Sequence, residues 1–168
     1  MTLRLVTEAD LLLILSWRNA PEIRKYMFSP HEISEREHRD WFQRIKDNSS
    51  VRVYLHENAD GIPDGVVNFT QYSSASRTAF WGFYMSPEAL PGRGTSLGMD
   101  ALDEAFSVLG LHKLNSEVLC SNPRSMRFHE KLGFRKEGVF RDFHFDGTAY
   151  CDVVRYGILE TEWTGLRA

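Results

Sequence analysis

Two hydrophobic periods alternate along this chain, and the switches between them mark its elements. Residues 3–6 alternate apolar and polar, the pattern of a half-buried strand. Thr7-Glu8-Ala9-Asp10 then has the form of a helix cap with an acidic first turn, and Leu11, Leu12, Ile14 and Leu15 carry that helix to an end near Trp17-Arg18-Asn19. Pro21 predicts a second short helix, because a first helical position leaves the missing N–H unused. Ser34-Glu35-Arg36-Glu37 is a capping box, and it opens a third helix through Trp41, Phe42 and Ile45. Strand patterns follow at Val51 to His56, at Val66 to Tyr72 after the turn Gly61-Ile62-Pro63-Asp64-Gly65, and at Thr78 to Met85.

The second half starts from a turn, Pro91-Gly92-Arg93-Gly94-Thr95-Ser96-Leu97-Gly98, which feeds an apolar helix over Met99 to Leu109 and a stop at Gly110. A strand is predicted from Lys113 to Leu119. Asn122-Pro123 then caps a helix that runs to Leu132 and stops at Gly133. Phe134 to Arg141 and Thr148 to Ile158 form an antiparallel pair across Asp146-Gly147, and Trp163 packs the tail down. The order predicts a single α+β domain over residues 1–168, with a mixed central sheet flanked by helices.

Composition narrows the function classes. The 168 residues carry a formal charge of −3 with basic residues scattered along the chain, so nucleic-acid binding through a basic face is not expected. The N-terminus has no signal-peptide pattern, and the apolar run Leu11 to Leu15 is too short to span a membrane. Cys120 and Cys151 lie in no metal or redox spacing, which fits a reducing cytoplasm. His31, His38 and His56 show no ligand spacing, so no metal is expected.

The glycine-rich turn is the first candidate for chemistry. First-turn N–H groups of a helix converge on one place, and the helix dipole favours negative charge there. A diphosphate is the expected ligand. No Gly-Lys-Ser/Thr is present, which sets aside a Walker nucleotide loop.

Taken together, the three-strand meander, glycine turn, helix, strand, Asn-capped helix and the run Glu130-Lys131-Leu132-Gly133-Phe134 resemble the GNAT family of acetyl-CoA-dependent N-acetyltransferases. The resemblance implies the acyl-CoA N-acyltransferase fold, acetyl-CoA as co-substrate, and a cofactor site at Gly92, Arg93, Gly94, Thr95, Ser96, Leu97 and Gly98. In the family pattern Pro91 stands where Gln or Arg is usual, and Ser96 replaces a second Gly or Ala. The pantetheine arm would run along Trp81, Gly82, Phe83, Tyr84 and Met85, with the Met85 N–H as candidate oxyanion donor. Asn122 and Ser125 would meet the pantetheine or the acyl region.

A closer likeness is to the N-acetyltransferases of the pseudaminic-acid pathway. It rests on Trp17-Arg18-Asn19, on Ile23 to Phe28, on His38 with Trp41-Phe42, on Leu111-His112-Lys113-Leu114 and on Glu137 to Arg141. The acceptor it implies is a UDP-linked amino sugar, UDP-4-amino-4,6-dideoxy-N-acetyl-β-L-altrosamine, acetylated at its 4-amine for flagellin glycosylation. Arg18, Arg24, Met27, Phe28, His38, Trp41, Phe42 and Glu117 would form the acceptor side, by aromatic stacking and an Arg to the diphosphate. Trp41 and Phe42 are equally what an amphipathic helix buries. Ribosomal-protein N-terminal acetyltransferases share several of these features, so peptide acetylation is the alternative activity. A catalytically silent acyl-CoA sensor is the competitor from another class. The expected assembly is a monomer or homodimer.

His129 stands where most relatives place a Tyr that protonates the leaving thiolate. Either its imidazolium supplies that proton, with an ordinary pKa near ~6.5, or the ring only packs and water does the work. Glu117 sits in mid-strand, and a buried carboxylate needs a partner or a purpose. It is the candidate base for the amine and equally a candidate wall of the substrate site.

Overall fold

The computed structural model describes residues 2–167. Its seven strands are β1 (Thr2–Leu5), β2 (Arg52–Glu57), β3 (Pro63–Ser73), β4 (Thr78–Met85), β5 (Lys113–Leu119), β6 (Arg135–Phe145) and β7 (Tyr150–Leu159). They form one sheet in the order β1-β2-β3-β4-β5-β7-β6, antiparallel except for the β4–β5 pair. The helices are α1 (Leu11–Asn19), α2 (Pro21–Arg24), α3 (Glu35–Ile45), α4 (Arg93–Asp103), α5 (Pro123–Lys131) and α6 (Glu160–Arg167). Between β4 and β5 a chain turn of helix is needed to return to the same end of the sheet, which is why only this pair is parallel.

The strand period of two sorts side chains onto opposite faces. One face is covered by α4, α5 and α6, where Leu97, Leu102, Leu132 and Trp163 pack on Phe69, Trp81, Leu114, Tyr156 and Ile158. The other is covered by α1 and α3, where Leu11, Ile14, Trp17 and Phe42 pack on Val53, Leu55 and Val66. Tyr54 and Leu55 are sequence neighbours in different clusters, as alternation requires. Truncating a fully buried member such as Leu102 or Ile14 to Ala would cost about 2–5 kcal/mol.

Local signals account for most boundaries. Ser34 accepts from the Glu37 N–H and starts α3, and Asn122 accepts from the Ser125 N–H and starts α5. Several boundaries differ from expectation: β3 begins at Pro63 inside the expected turn, β6 runs on to Phe145, α4 gives way to a π-helix at Glu104–Val108, and three further differences follow. Thr7 opens a 3₁₀ turn at Glu8–Asp10 before α1 begins. The tail is not merely packed by Trp163 but forms α6. The third difference bears on the site: α4 begins at Arg93 rather than Met99, because Gly92 takes up φ 89° and turns the chain straight into helix. Gly94, Thr95 and Ser96 are therefore the first helical turn itself.

What positions the site is a fork. β4 and β5 pair only through Thr78↔Lys113, Ala79↔Leu114 and Phe80↔Asn115, and then diverge. The Asn115 amide donates to the Ala79 carbonyl at 3.1 Å and pins the apex. Beyond it, β4 stays with β3 and β5 stays with β7, so a wedge opens between residues 81–85 and 116–119.

Candidate active site

The N-terminus of α4 lies at the mouth of that wedge. A Cβ at Gly94 would meet only Phe128 at 3.8 Å and Met85 at 3.9 Å, ordinary contact distances. A Cβ at Gly98 would come within 2.6 Å of Leu132 and 3.0 Å of Phe128. Gly98 is thus small because α4 and α5 press together there, and Leu97 is buried in the core. Packing makes no such demand at Gly94, which leaves its backbone open to close approach. The first turn of α4 carries no acidic residue, although acids are favoured there by the dipole. Instead Arg93 starts the helix, and Lys131 Nζ reaches Thr95 Oγ1 at 3.2 Å. The Thr95 N–H turns back onto the Gly92 carbonyl at 3.0 Å. Cationic side chains, a helix N-terminus and an uncrowded glycine suit a diphosphate.

On the α4–α5 side of the fork the walls are aromatic. Phe83 packs between Trp81 and Phe128, each 4.9 Å away, and Met85 packs against the same cluster. His129 lies at the back of this wall, 2% exposed, with Trp81, Phe134 and Tyr156 around it. Its Nδ1–H donates to the Ser125 carbonyl at 2.8 Å, so Nε2 accepts from the Ser116 hydroxyl, also at 2.8 Å. Burial pushes the His129 pKa down to about 4, only partly offset by the Ser125 bond. At neutral pH only about one ring in a thousand would be charged. Of the two roles open to His129, a neutral resting ring fits packing with water as the proton source.

The opposite face of the fork carries the polar machinery. Tyr84 packs with the α1–α3 cluster, and Phe80 lies under the Arg155 guanidinium at 4.5 Å. Glu117 does not stand alone: Arg155, its cross-strand partner on β7, donates to Oε1 at 2.6 Å, and each is about a quarter exposed. Phe140 closes the other side of Arg155 at 5.3 Å. Arg18 donates to the Ser29 carbonyl at 2.6 Å, and its desolvation lowers its pKa. His38 stacks on Trp41 at 5.0 Å, and burial, followed by the Arg18 charge, lowers its pKa as well. Arg18 Nη1, His38 Nε2, Arg155 Nε and, on the other face, Trp81 Nε1 are buried with no hydrogen-bond partner among the described residues.

The remaining acceptor candidates disperse. Arg24 reaches Glu32 at 3.5 Å, and Met27 is half-buried beside it in sequence. Phe28 is exposed and meets His144 of β6 edge-on at 5.1 Å. Phe42 is buried in the α1–α3 core and borders a cavity of about 460 Å³ whose lining contains no residue of β4, β5, α4 or α5. Among the described residues no cluster of three or more His, Cys, Asp and Glu could hold a metal ion, and no helix is long and apolar enough to cross a membrane.

Sequence reasoning missed the roles of Ser116 and Arg155, and it placed Trp81 on the cofactor strand without its contact to His129. Arg155 did carry a signal, as the one charge inside the apolar run Val153 to Ile158. The Ser116 and Trp81 contacts had none, since only the fold turns both toward His129.

A forked parallel pair beside a glycine-started helix defines an acyl-CoA-dependent acyltransferase. The acetyltransferase (GNAT) domain model matches residues 1–135, and the chain belongs to that family. It is an acetyl-CoA-dependent N-acetyltransferase. The spermidine N(1)-acetyltransferase of Vibrio cholerae is 30% identical over 166 residues, covering 97% of this chain and 95% of the relative. Acetyltransferase PseH of Campylobacter jejuni is 26% identical over 136 residues, 81% of this chain and 83% of the relative. Among solved structures, spermidine N-acetyltransferase from Vibrio cholerae in complex with CoA and spermine superposes with a TM-score of 0.89 at 29% identity, covering 97% of each chain.

Proposed function

We propose that the acceptor is a UDP-linked 4-amino-4,6-dideoxy sugar, acetylated at its 4-amine, in line with the resemblance to the pseudaminic-acid enzymes. The observation that carries this reading is the half-buried Arg18, whose Nη1 has no partner among the described residues and whose charge sits close enough to His38 to lower its pKa. A desolvated guanidinium of this kind is stabilised by a phosphate or another oxyanion. Arg155 Nε offers a second unpartnered donor on the same face of the fork.

A polyamine is the second reading, favoured by the spermidine acetyltransferases among the relatives. It needs carboxylates to meet a polycation. Near Arg18 and Arg155, Glu37 and Glu117 are already paired, with His31 and Arg155. Unsatisfied cationic donors beside satisfied carboxylates favour an anionic acceptor over a cationic one.

Within this reading the α4 turn takes the diphosphate of acetyl-CoA, Asn122 and Ser125 border the pantetheine arm, and Phe83 to Met85 lie along it. The Met85 N–H stabilises the charge that develops on the thioester oxygen as the amine attacks. Neutral His129 holds the Ser116 hydroxyl in place at the fork, and the thiolate receives its proton by way of water. Release of CoA thiol tests the acceptor directly, with the UDP-4-amino sugar, spermidine and a ribosomal-protein N-terminal peptide compared. Turnover of the sugar at the highest kcat/KM supports the reading. Preference for spermidine or the peptide overturns it, and CoA binding without turnover on any of them supports a sensor.

A further inference from the structure

A hydrogen-bonded chain of polar side chains, centred on buried His56 and Asp64, runs from β2 to the start of α4. His56 is fully buried on β2. Its Nδ1 meets Asp64 Oδ1 at 2.5 Å and its Nε2 meets Asp100 Oδ2 at 3.1 Å. Each ring nitrogen thus faces a carboxylate oxygen, which holds the ring from both sides. The second oxygen of Asp64 accepts from Arg93 Nε at 2.7 Å, and the Asp64 side chain is 7% exposed. The order of side chains is Asp100, His56, Asp64, Arg93, from mid-α4 through the strands and back to the first residue of α4.

Two features make this more than a core polar cluster. An Arg at the first helical position opposes the helix dipole, so a cation held there by a buried carboxylate is placed against local preference. Moreover, the strand ends supplying His56 and Asp64 belong to β2 and β3, and Asp64 also accepts the Ser86 N–H at its backbone carbonyl, 2.8 Å. The chain thus ties Arg93 to the end of β4 and to the rigid sheet.

We propose that His56 and Asp64 are positioning residues for the donor: they hold the Arg93 guanidinium where it meets the diphosphate of CoA, and Asp100 orients His56 from the far side. This rests on the reading of the α4 N-terminus as the diphosphate site. His56 fixes Asp64 by a bond to one oxygen, which leaves the other aimed at Arg93. Removing His56 would let Asp64 turn, and Arg93 would lose its fixed geometry without leaving the protein.

Calorimetric titration with CoA on Arg93→Met, His56→Gln, the double variant and Gly94→Ala tests this. Loss of one charge-assisted contact in Arg93→Met is expected to weaken CoA binding by about tenfold or more. His56→Gln is expected to weaken it several-fold, and the double variant to bind CoA no worse than Arg93→Met alone, because His56 acts through Arg93. Additive losses in the double variant, or wild-type CoA affinity in His56→Gln, overturn the proposal. Should His56→Gln fail to fold, Asp64→Asn enters the same cycle with the same expectations. If Gly94→Ala weakens CoA while Arg93→Met does not, the positioning proposal alone falls. If neither variant weakens CoA, the diphosphate reading of the turn falls with it.

Discussion

Glu117 on β5 and Arg155 on β7 face each other across the sheet and share a 2.6 Å hydrogen bond beside the fork. The pair changes what Glu117 can do. One carboxylate oxygen is committed to the guanidinium, whose plane is held between Phe80 and Phe140. A carboxylate so paired is expected to orient Arg155 rather than to act as a free base. Glu117→Gln is expected to raise the acceptor KM by about three- to tenfold, with kcat within about fivefold of wild type. A general base would behave differently: its loss lowers kcat by about 10²–10⁴ at little change in KM. Steady-state kinetics on the variant separates the two.

His129 makes stability depend on acid. Its folded pKa is about 4, below the ordinary value near ~6.5, so between those limits the unfolded chain binds the extra proton. Stability from this group is therefore complete above pH ~6.5 and falls as pH drops toward 4, by at most about 3 kcal/mol. His38, also lowered, acts in the same direction. His129→Gln is expected to flatten the stability profile between pH 4 and 6.5 in denaturant titrations. An unchanged slope would contradict the buried neutral ring. The same ring predicts no kcat limb near pH 6.5 from His129, which pH–rate profiles of wild type and His129→Phe can check.

Gly94 and Gly98 are expected to fail in opposite ways when changed to Ala. At Gly94 the added methyl finds ordinary contacts, so thermal stability should hold within about 0.5 kcal/mol while the acetyl-CoA KM rises about tenfold or more. At Gly98 the methyl would press on Leu132 and Phe128, and about 1–3 kcal/mol of stability should be lost. Loss of stability at Gly94 with an unchanged KM would show that it, too, serves only packing.

The fold was legible because its signals are local. Ser34, Pro21, Asn122 and Gly133 mark helix ends by chemistry that acts over three or four residues. The α4 start was displaced because the pattern of apolar residues begins at Leu97, while the helix begins where Gly92 lets the backbone turn. The site was legible only where it is made of backbone. Gly94 and the Asn122 cap announce themselves in sequence. Ser116 meets His129, and Asp64 meets both His56 and Arg93, only after strands from distant parts of the chain pair. The partner of mid-strand Glu117 was likewise set by register, since Arg155 lies opposite it only in the folded sheet.

Arg18 is the side chain on which the choice of acceptor turns. The measurement that bears on it most directly is the acceptor KM of Arg18→Met, read by thiol release with the UDP-4-amino sugar and with spermidine. A guanidinium that meets a diphosphate gives a rise of about tenfold or more in the sugar KM, an unchanged acetyl-CoA KM, and no gain for wild type on spermidine over the sugar. Wild-type preference for spermidine, or an Arg18→Met enzyme with the sugar KM intact, would contradict it.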